Sequence, residues 1–285
     1  MSEDVFFDLF NKLKRPMKKF AVFGNPISQS LSPAIHHMFA DLTGETIQYE
    51  KIEAPIEGFE DTVTNFFADE RAVGCNVTVP FKERAFKLSE ANCNEEAATA
   101  KAVNTLHKVD SCLNGYTTDG MGLVADLLST TGSLSGKRIL LIGAGGATRG
   151  VAGPLLRENP ESLFIANRTF AKAQAIVSDI ANPKFEAITA DELVSVEAHI
   201  IINCTSASLT GDLPVVSESM FGKCELAYDM VYSSQPTRFM QYAAEKGAAA
   251  TRDGFGMLVE QAAAAFTIWT GKTPETAGVI QKLRP

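Results

Sequence analysis

Cysteine is sparse in this chain and carries no pairing pattern: Cys75, Cys93, Cys112, Cys204 and Cys224 are scattered, with no CxxC and no metal-ligand spacing to the four histidines. An odd, dispersed set excludes a disulfide framework, points to a reducing cytoplasm and leads us to expect no metal. Basic residues are in the minority, 26 against 34 acidic, for a net charge of −8. General electrostatic attraction to nucleic acid or to an anionic membrane surface is thereby excluded, and any bound anion must meet a local cluster. No apolar run has the length of a membrane span. The opening MSEDVFFDLFNKLKRP carries acids before its apolar residues, where a secretion signal carries basic ones, so export is not expected and a cytoplasmic location is. Phe6, Phe7, Leu9, Phe10 and Leu13 have the spacing of a short helix docked on the body or on a partner chain, with its role open.

What is abundant is apolar content, 45% of 285 residues, enough for two buried cores. From Phe20 short apolar runs alternate with helical stretches: FAVFG, SPAIHHMFADLTG, IQYEKIEA, FEDTVTNFFADERA, VGCNVTVP. Such alternation predicts parallel βαβ units with right-handed crossovers. A second series has RILLIG, SLFIAN, HIIINC and ELAYDMVY as strands. The fold class is therefore α/β, with two domains and a boundary near Thr118 to Asp119, ahead of a helix ended by a Gly/Ser-rich turn. The late stretch GMLVEQAAAAFTIWTG is apolar beyond one face and is expected between the domains.

The most informative segment is KRILLIGAGGATRG, Lys137 to Gly150. An apolar strand enters a glycine-rich turn, Gly143, Ala144, Gly145, Gly146, Ala147, and then a helix whose free N–H groups can face a pyrophosphate. The third glycine position of the fingerprint holds Thr148, and a plain helix-start turn is the competing reading. The next strand ends near Arg168, where an NAD site usually places an acid for the ribose 2′-hydroxyl. A carboxylate would repel a 2′-phosphate, whereas a guanidinium pairs with it bidentately and stacks on adenine. NADP is therefore favoured over NAD.

Four further segments combine polar side chains with turn chemistry: NPISQSLSP with Ser30 and Ser32, NVTVPFK from Asn76 to Lys82, AVNTL with Asn104, and GYTTDG with Asp119. Each has a structural reading as well. Ser32 before Pro33 is a good N-cap, Asp119 before Gly120 is another, Asn104 can bond turn backbone, and Lys82 alone reads as a solvated lysine.

Taken in order, SxS, NVTVPFK, AVNT, GYTTDG, GAGGA, NRT and DGFGMLVEQ make the chain resemble the shikimate dehydrogenase (shikimate/quinate dehydrogenase) family from about Lys18 onward. The resemblance implies residues 18–118 as a substrate-binding catalytic domain, 119–253 as a Rossmann-type NADP-binding domain, 254–285 as helices packing back on the first, and 1–17 as an extension. It implies NADPH-dependent reduction of 3-dehydroshikimate to shikimate, in a monomer or homodimer. Carried over residue by residue, Lys82 and Asp119 would be catalytic. Ser30 and Ser32 would bind the substrate carboxylate, and Asn76, Thr78, Asn104, Tyr232 and Gln261 would line the ring pocket. Met230, Gly254 and Met257 would lie along the nicotinamide, with Glu95 a further position on that side. Asn167, Arg168, Thr169 and Lys172 would surround the 2′-phosphate. Reduction of a ketone leaves charge on its oxygen, so a donor must supply a proton and stabilise that charge; a lysine beside a carboxylate does both.

Two departures from the family pattern stand out: CTSASLTGD after Asn203, and the segment before Lys18. A quinate or dual-specificity enzyme is the neighbouring alternative, disfavoured by Arg168 and by SLS where SxT is expected. A non-catalytic NADP-binding regulator is the alternative from another class. Retention of Lys82 and Asp119 argues against it.

Overall fold

The computed structural model describes residues 17–284; the proposed helix around Phe6 to Leu13 lies outside the described residues. The chain forms two sheets. The first contains β1 (Lys18–Gly24), β2 (Ile47–Glu53), β3 (Ala72–Val77), β4 (Thr105–Val109) and β5 (Cys112–Tyr116), in the order β2-β1-β3-β4-β5. The β1, β2 and β3 strands are parallel, as the alternating pattern predicts, with α1 (Ser32–Thr43) and α2 (Phe59–Phe67) as crossovers. The β4 and β5 strands are not: they form an antiparallel hairpin on the edge. Its turn residues Asp110 and Ser111 both have positive φ, 48° and 69°, the signature of a two-residue type I′ connection.

After α3 (Lys82–Ser89) and α4 (Glu95–Ala100), helix α5 (Asp119–Thr131) leads into the second sheet. That sheet contains β6 (Arg138–Ile142), β7 (Ser162–Ala166), β8 (Phe185–Ile188), β9 (Ile200–Asn203), β10 (Leu226–Asp229) and β11 (Thr251–Asp253), all parallel. Read from β8 to β11 the order is β8-β7-β6-β9-β10-β11, the doubly wound dinucleotide-binding arrangement. Strand order reverses between β6 and β9, where open α/β sheets place their ligands. Helices α6 (Gly146–Arg157), α7 (Phe170–Ile180) and α8 (Arg238–Glu245) flank it.

Helix α9 (Phe255–Thr270), followed by α10 (Ala277–Leu283), joins the two halves. Its Phe255, Val259, Phe266 and Trp269 are buried with Phe20, Ile35, Phe39 and Tyr49 of the first half. Met257 packs instead with the core of the second sheet. The Trp269 indole N–H donates to the Leu106 carbonyl at 3.0 Å, fixing the helix to β4. A side chain at Gly122 of α5 would meet the Gln261 backbone at 2.6 Å, so glycine permits α5 and α9 to touch where both carry site residues. No helix among the described residues is long and apolar enough to cross a membrane.

Candidate functional site

A cleft of about 340 Å³ opens where the first sheet, α5, α9 and the end of β10 converge. Ser30, Ser32, Asn76, Thr78, Lys82, Asn104, Asp119, Met230, Tyr232, Gly254, Met257 and Gln261 all line it, although they lie far apart along the chain.

Lys82 and Asp119 are each the first residue of a helix, α3 and α5. Their side chains meet with Nζ to Oδ2 at 2.6 Å. The other carboxylate oxygen of Asp119 accepts from Asn104 Nδ2 at 2.8 Å. Each oxygen thus retains acceptor capacity, and the ammonium retains two hydrogens, for a ligand between them. The capping reading of Asp119 is not realised, since α5 has Thr118 as its cap residue and no side-chain cap bond.

Behind this pair a second tier holds the amides. Asn104 Oδ1 accepts from the Thr118 backbone N–H at 3.0 Å, so the turn-bonding reading of Asn104 is realised alongside its contact with Asp119. Gln261 Oε1 accepts from Thr118 Oγ1 at 3.3 Å. Asn76 is saturated: Oδ1 accepts from Tyr49 at 2.7 Å and faces His36 Nε2 at 3.2 Å, while Nδ2 faces the Asn104 carbonyl at 3.2 Å and Thr105 Oγ1 at 3.1 Å. The His36 ring stacks on Tyr49 with centroids 4.5 Å apart. Its Nδ1 has no partner among the described residues, which identifies Nε2 as the protonated nitrogen donating to Asn76. Burial pushes the His36 pKa down to about 3, so this ring is neutral.

Ser30 and Ser32 face the opposite wall. Ser30 Oγ accepts from the Ser32 N–H at 3.3 Å and donates to Ser32 Oγ at 3.1 Å, leaving the Ser32 hydroxyl hydrogen available for an anionic oxygen. Ser32 is not a cap: α1 begins at Ser32 itself, with Leu31 before it and no side-chain cap bond. Tyr232, 37% exposed, stands at the rim against the edge of Phe255, with ring centroids 5.9 Å apart.

The second cleft, about 580 Å³, lies at the reversal point of the second sheet, between the turn after β6 and the loop after β9. Gly143, Asn167 and Arg168 line it with Thr205, Ser206, Ala207 and Asp212. Gly143 has φ of +107°, and a Cβ there would lie 2.7 Å from Thr205 Cγ2, so the turn requires glycine. Gly145 and Gly146 face open space, the room a pyrophosphate needs at the start of α6 beside Ala144 and Ala147. Thr148 explains its own departure from the fingerprint: it is fully buried and its Oγ1 donates to the Gly143 carbonyl at 2.7 Å, tying the turn to the helix. Asn167 Nδ2 donates to the Thr169 carbonyl at 2.9 Å, shaping the exposed Arg168 and Thr169. Lys172 is exposed one turn into α7, and Asp212 is held by Thr210 at 2.7 Å.

Met230, Gly254 and Met257 line the first cleft, and a Cβ at Gly254 would clash with the Met230 carbonyl oxygen. Glu95 is exposed at the start of α4 and lines neither cleft. Thr118, Tyr49 and His36 escaped selection from the sequence; Thr118 stood inside the GYTTDG motif, but the other two are legible only once α1 and β2 are seen to pack behind Asn76. Cys75, Cys204 and Cys224 are buried, and burial pushes the thiols of Cys204 and Cys224 up to about 12, which removes them from nucleophilic chemistry. No group of three metal-ligating side chains occurs among the described residues.

Residues 22–106 match the family profile described as shikimate dehydrogenase substrate binding domain, residues 126–228 that of shikimate / quinate 5-dehydrogenase, and residues 254–284 that of the shikimate 5'-dehydrogenase C-terminal domain. The shikimate dehydrogenase (NADP(+)) of Alteromonas mediterranea is 53% identical over 270 residues, covering 94% of this chain and 96% of its own. Among solved structures, an Ael1 enzyme from Pseudomonas putida superposes with a TM-score of 0.91 at 40% identity, covering 94% of this chain and 98% of that one. The shikimate 5-dehydrogenase of Thermus thermophilus, solved with NADP(H) and shikimate, superposes with a TM-score of 0.81 at 32% identity, covering 93% and 98%. With the profiles spanning most of its length and relatives of this identity, the chain belongs to the shikimate dehydrogenase family.

Proposed function

We propose that the protein catalyses the reversible NADPH-dependent reduction of 3-dehydroshikimate to shikimate, with residues 18–118 binding the substrate, residues 119–253 binding NADP and residues 254–285 returning to the first unit. The observation that carries the reading is the 2.6 Å contact between Lys82 and Asp119 inside a cleft walled by two serine hydroxyls on one side and by Met230 and Gly254 on the other.

NADPH, when bound, supplies the hydride that the ketone carbon accepts. Its site fits the residues present: an open glycine turn at a helix start, and an arginine where a 2′-phosphate rather than a free hydroxyl is recognised. Asn167, Arg168, Thr169 and Lys172 would hold that phosphate.

The chain's own residues do the rest. Ser32 donates its free hydroxyl hydrogen to the substrate carboxylate, Ser30 turns its own from Ser32 onto the same group when substrate enters, and the pair fixes one end of the ring. Asn76, its amide already saturated, and Thr78 line the ring pocket, Asn104 and Gln261 present amide groups to the ring hydroxyls, and Tyr232 covers the mouth. The Lys82 ammonium transfers its proton to the carbonyl oxygen as charge develops there, becoming an amine that solvent reprotonates. Asp119 holds that ammonium and accepts from the adjacent hydroxyl. In the reverse direction the Lys82 amine takes the proton back.

The enzyme acts on a small molecule, in the cytoplasm, as a monomer or homodimer. Absorbance at 340 nm with shikimate or quinate against NADP or NAD tests the reading directly: shikimate with NADP should be the fastest of the four pairs. A faster rate with quinate and NAD would replace it with the quinate enzyme.

A further inference from the structure

Asp229 is the last residue of β10 and is fully buried, yet neither its charge nor its position is used in the chemistry above. Its carboxylate is surrounded by donors. Oδ1 accepts from Asn203 Nδ2 and from the Val231 backbone N–H, each at 3.1 Å. Oδ2 accepts from Ser208 Oγ and Thr237 Oγ1, each at 2.6 Å. Burial raises the Asp229 carboxyl above its usual range despite the four donors, which pull the other way and together fill the acceptor capacity of its two oxygens.

The donors come from segments that serve different clefts. Asn203 ends β9 and is the register partner of Asp229. Its Oδ1 accepts from both the N–H and the hydroxyl of Thr205, at 3.0 and 2.7 Å, and so shapes the loop whose Thr205, Ser206 and Ala207 line the nucleotide cleft. Ser208 closes the same loop onto Asp229 directly. On the other side, Val231 sits between Met230 and Tyr232, which line the substrate cleft. The Met230 N–H also donates to the Asn203 carbonyl at 3.1 Å. One buried carboxylate is therefore bonded to residues that directly adjoin a wall of each cleft.

We propose that Asp229 is a positioning residue that couples the two clefts, holding the Thr205–Ser208 loop and the Met230–Tyr232 segment as one body so that an occupied nucleotide cleft favours substrate binding. A carboxylate that accepts from both segments allows neither to move without losing a charge-assisted bond, and buried bonds of that kind are among the strongest available. Thermodynamic linkage then makes the effect reciprocal: substrate tightens nucleotide binding by the same factor.

This inference rests on the function proposed above, and the test separates the two. Shikimate is titrated calorimetrically into the enzyme with and without saturating NADPH, a pair that cannot react with one another. The ratio of the two dissociation constants is the coupling factor. Wild-type enzyme should give a factor within the range of about 5–150 typical of linked sites. Ser208→Ala, which deletes the loop's direct bond to Asp229 and leaves the link through Asn203, should lower the ratio several-fold while shikimate binding without nucleotide stays near the wild-type value. Asp229→Asn should do the same and lower kcat; if it does not fold, Ser208→Ala decides. A wild-type factor of one overturns the proposal, as does a wild-type factor retained in Ser208→Ala, including the case where that variant merely melts earlier. Failure of the wild-type enzyme to oxidise shikimate with NADP would instead overturn the assigned reaction.

Discussion

Lys82 and Asp119 stand 37 positions apart in sequence and 2.6 Å apart in space, each at the first residue of its own helix. The start of a helix carries partial positive charge, which suits Asp119 and opposes an ammonium at Lys82. Asp119 therefore offsets an unfavourable position of Lys82 as well as pairing with it. Asp119→Asn preserves shape but removes the charge that holds the lysine and that, in the proposed mechanism, accepts from the substrate hydroxyl, so kcat should fall and the KM for shikimate should rise together. Steady-state kinetics check this, and a change confined to KM would assign Asp119 to binding alone.

Ser30 and Ser32 form a local pair in which Ser30 orients Ser32. Ser32→Ala should raise the KM for shikimate by roughly 10- to 150-fold, the loss of a hydrogen bond to a charged group, while NADP binding stays unchanged. Ser30→Ala should give a smaller rise in the same direction. Thermal melts of Ser32→Ala should stay close to wild type, because α1 draws no cap bond from this side chain. A lowered melting temperature with an unchanged KM would reinstate the cap.

Arg168 lies in the nucleotide cleft just past the end of β7. Arg168→Ala should raise the KM for NADP by roughly 10- to 150-fold through loss of a charge-assisted contact with the 2′-phosphate, and should leave that for NAD nearly unchanged. Parallel kinetics with the two cofactors make the comparison. Equal effects on both would remove Arg168 from 2′-phosphate recognition.

His36 gives the fold a pH dependence of known sign. Its folded-state pKa, lowered to about 3 by burial, lies below the value of 6.5 it has when exposed. The unfolded chain therefore binds a proton below pH 6.5 that the folded chain refuses, so this contribution to stability is fully present above pH 6.5 and is lost as pH falls toward 3. The slope should approach about 1.4 kcal/mol per pH unit within that window. Denaturant unfolding of wild type and His36→Gln across roughly pH 4 to 7 should show the slope reduced by that amount in the variant. Parallel curves would mean that His36 is not excluded from protonation.

The chemistry-bearing segments were legible in the sequence because each sits at an element boundary, where turn residues and polar side chains interrupt an apolar run. Lys82 and Asp119 follow strands or turns at helix starts, and Gly143 and Arg168 follow the ends of β6 and β7. What escaped lacked such punctuation. The β4–β5 hairpin turns through Asp110 and Ser111 with no glycine or asparagine to mark it, so the pattern assigns no strand there. β8 and β11 span only Phe185–Ile188 and Thr251–Asp253, too short for periodicity to register. The shell behind Asn76, made by Tyr49 and His36, arises from packing between β2 and α1, which no local pattern encodes. The loop CTSASLTGD, a departure from the family pattern, is tied down by Asn203 and Asp229 and lines the second cleft.

The single most direct measurement is kcat for Lys82→Ala with shikimate and NADP, alongside the dissociation constant for shikimate. Proton transfer from Lys82 to the developing oxyanion requires kcat to fall by roughly 10²–10⁴ while shikimate affinity changes little, because the interaction is strongest in the transition state. A near-normal kcat would place the proton elsewhere and contradict the role given to Lys82.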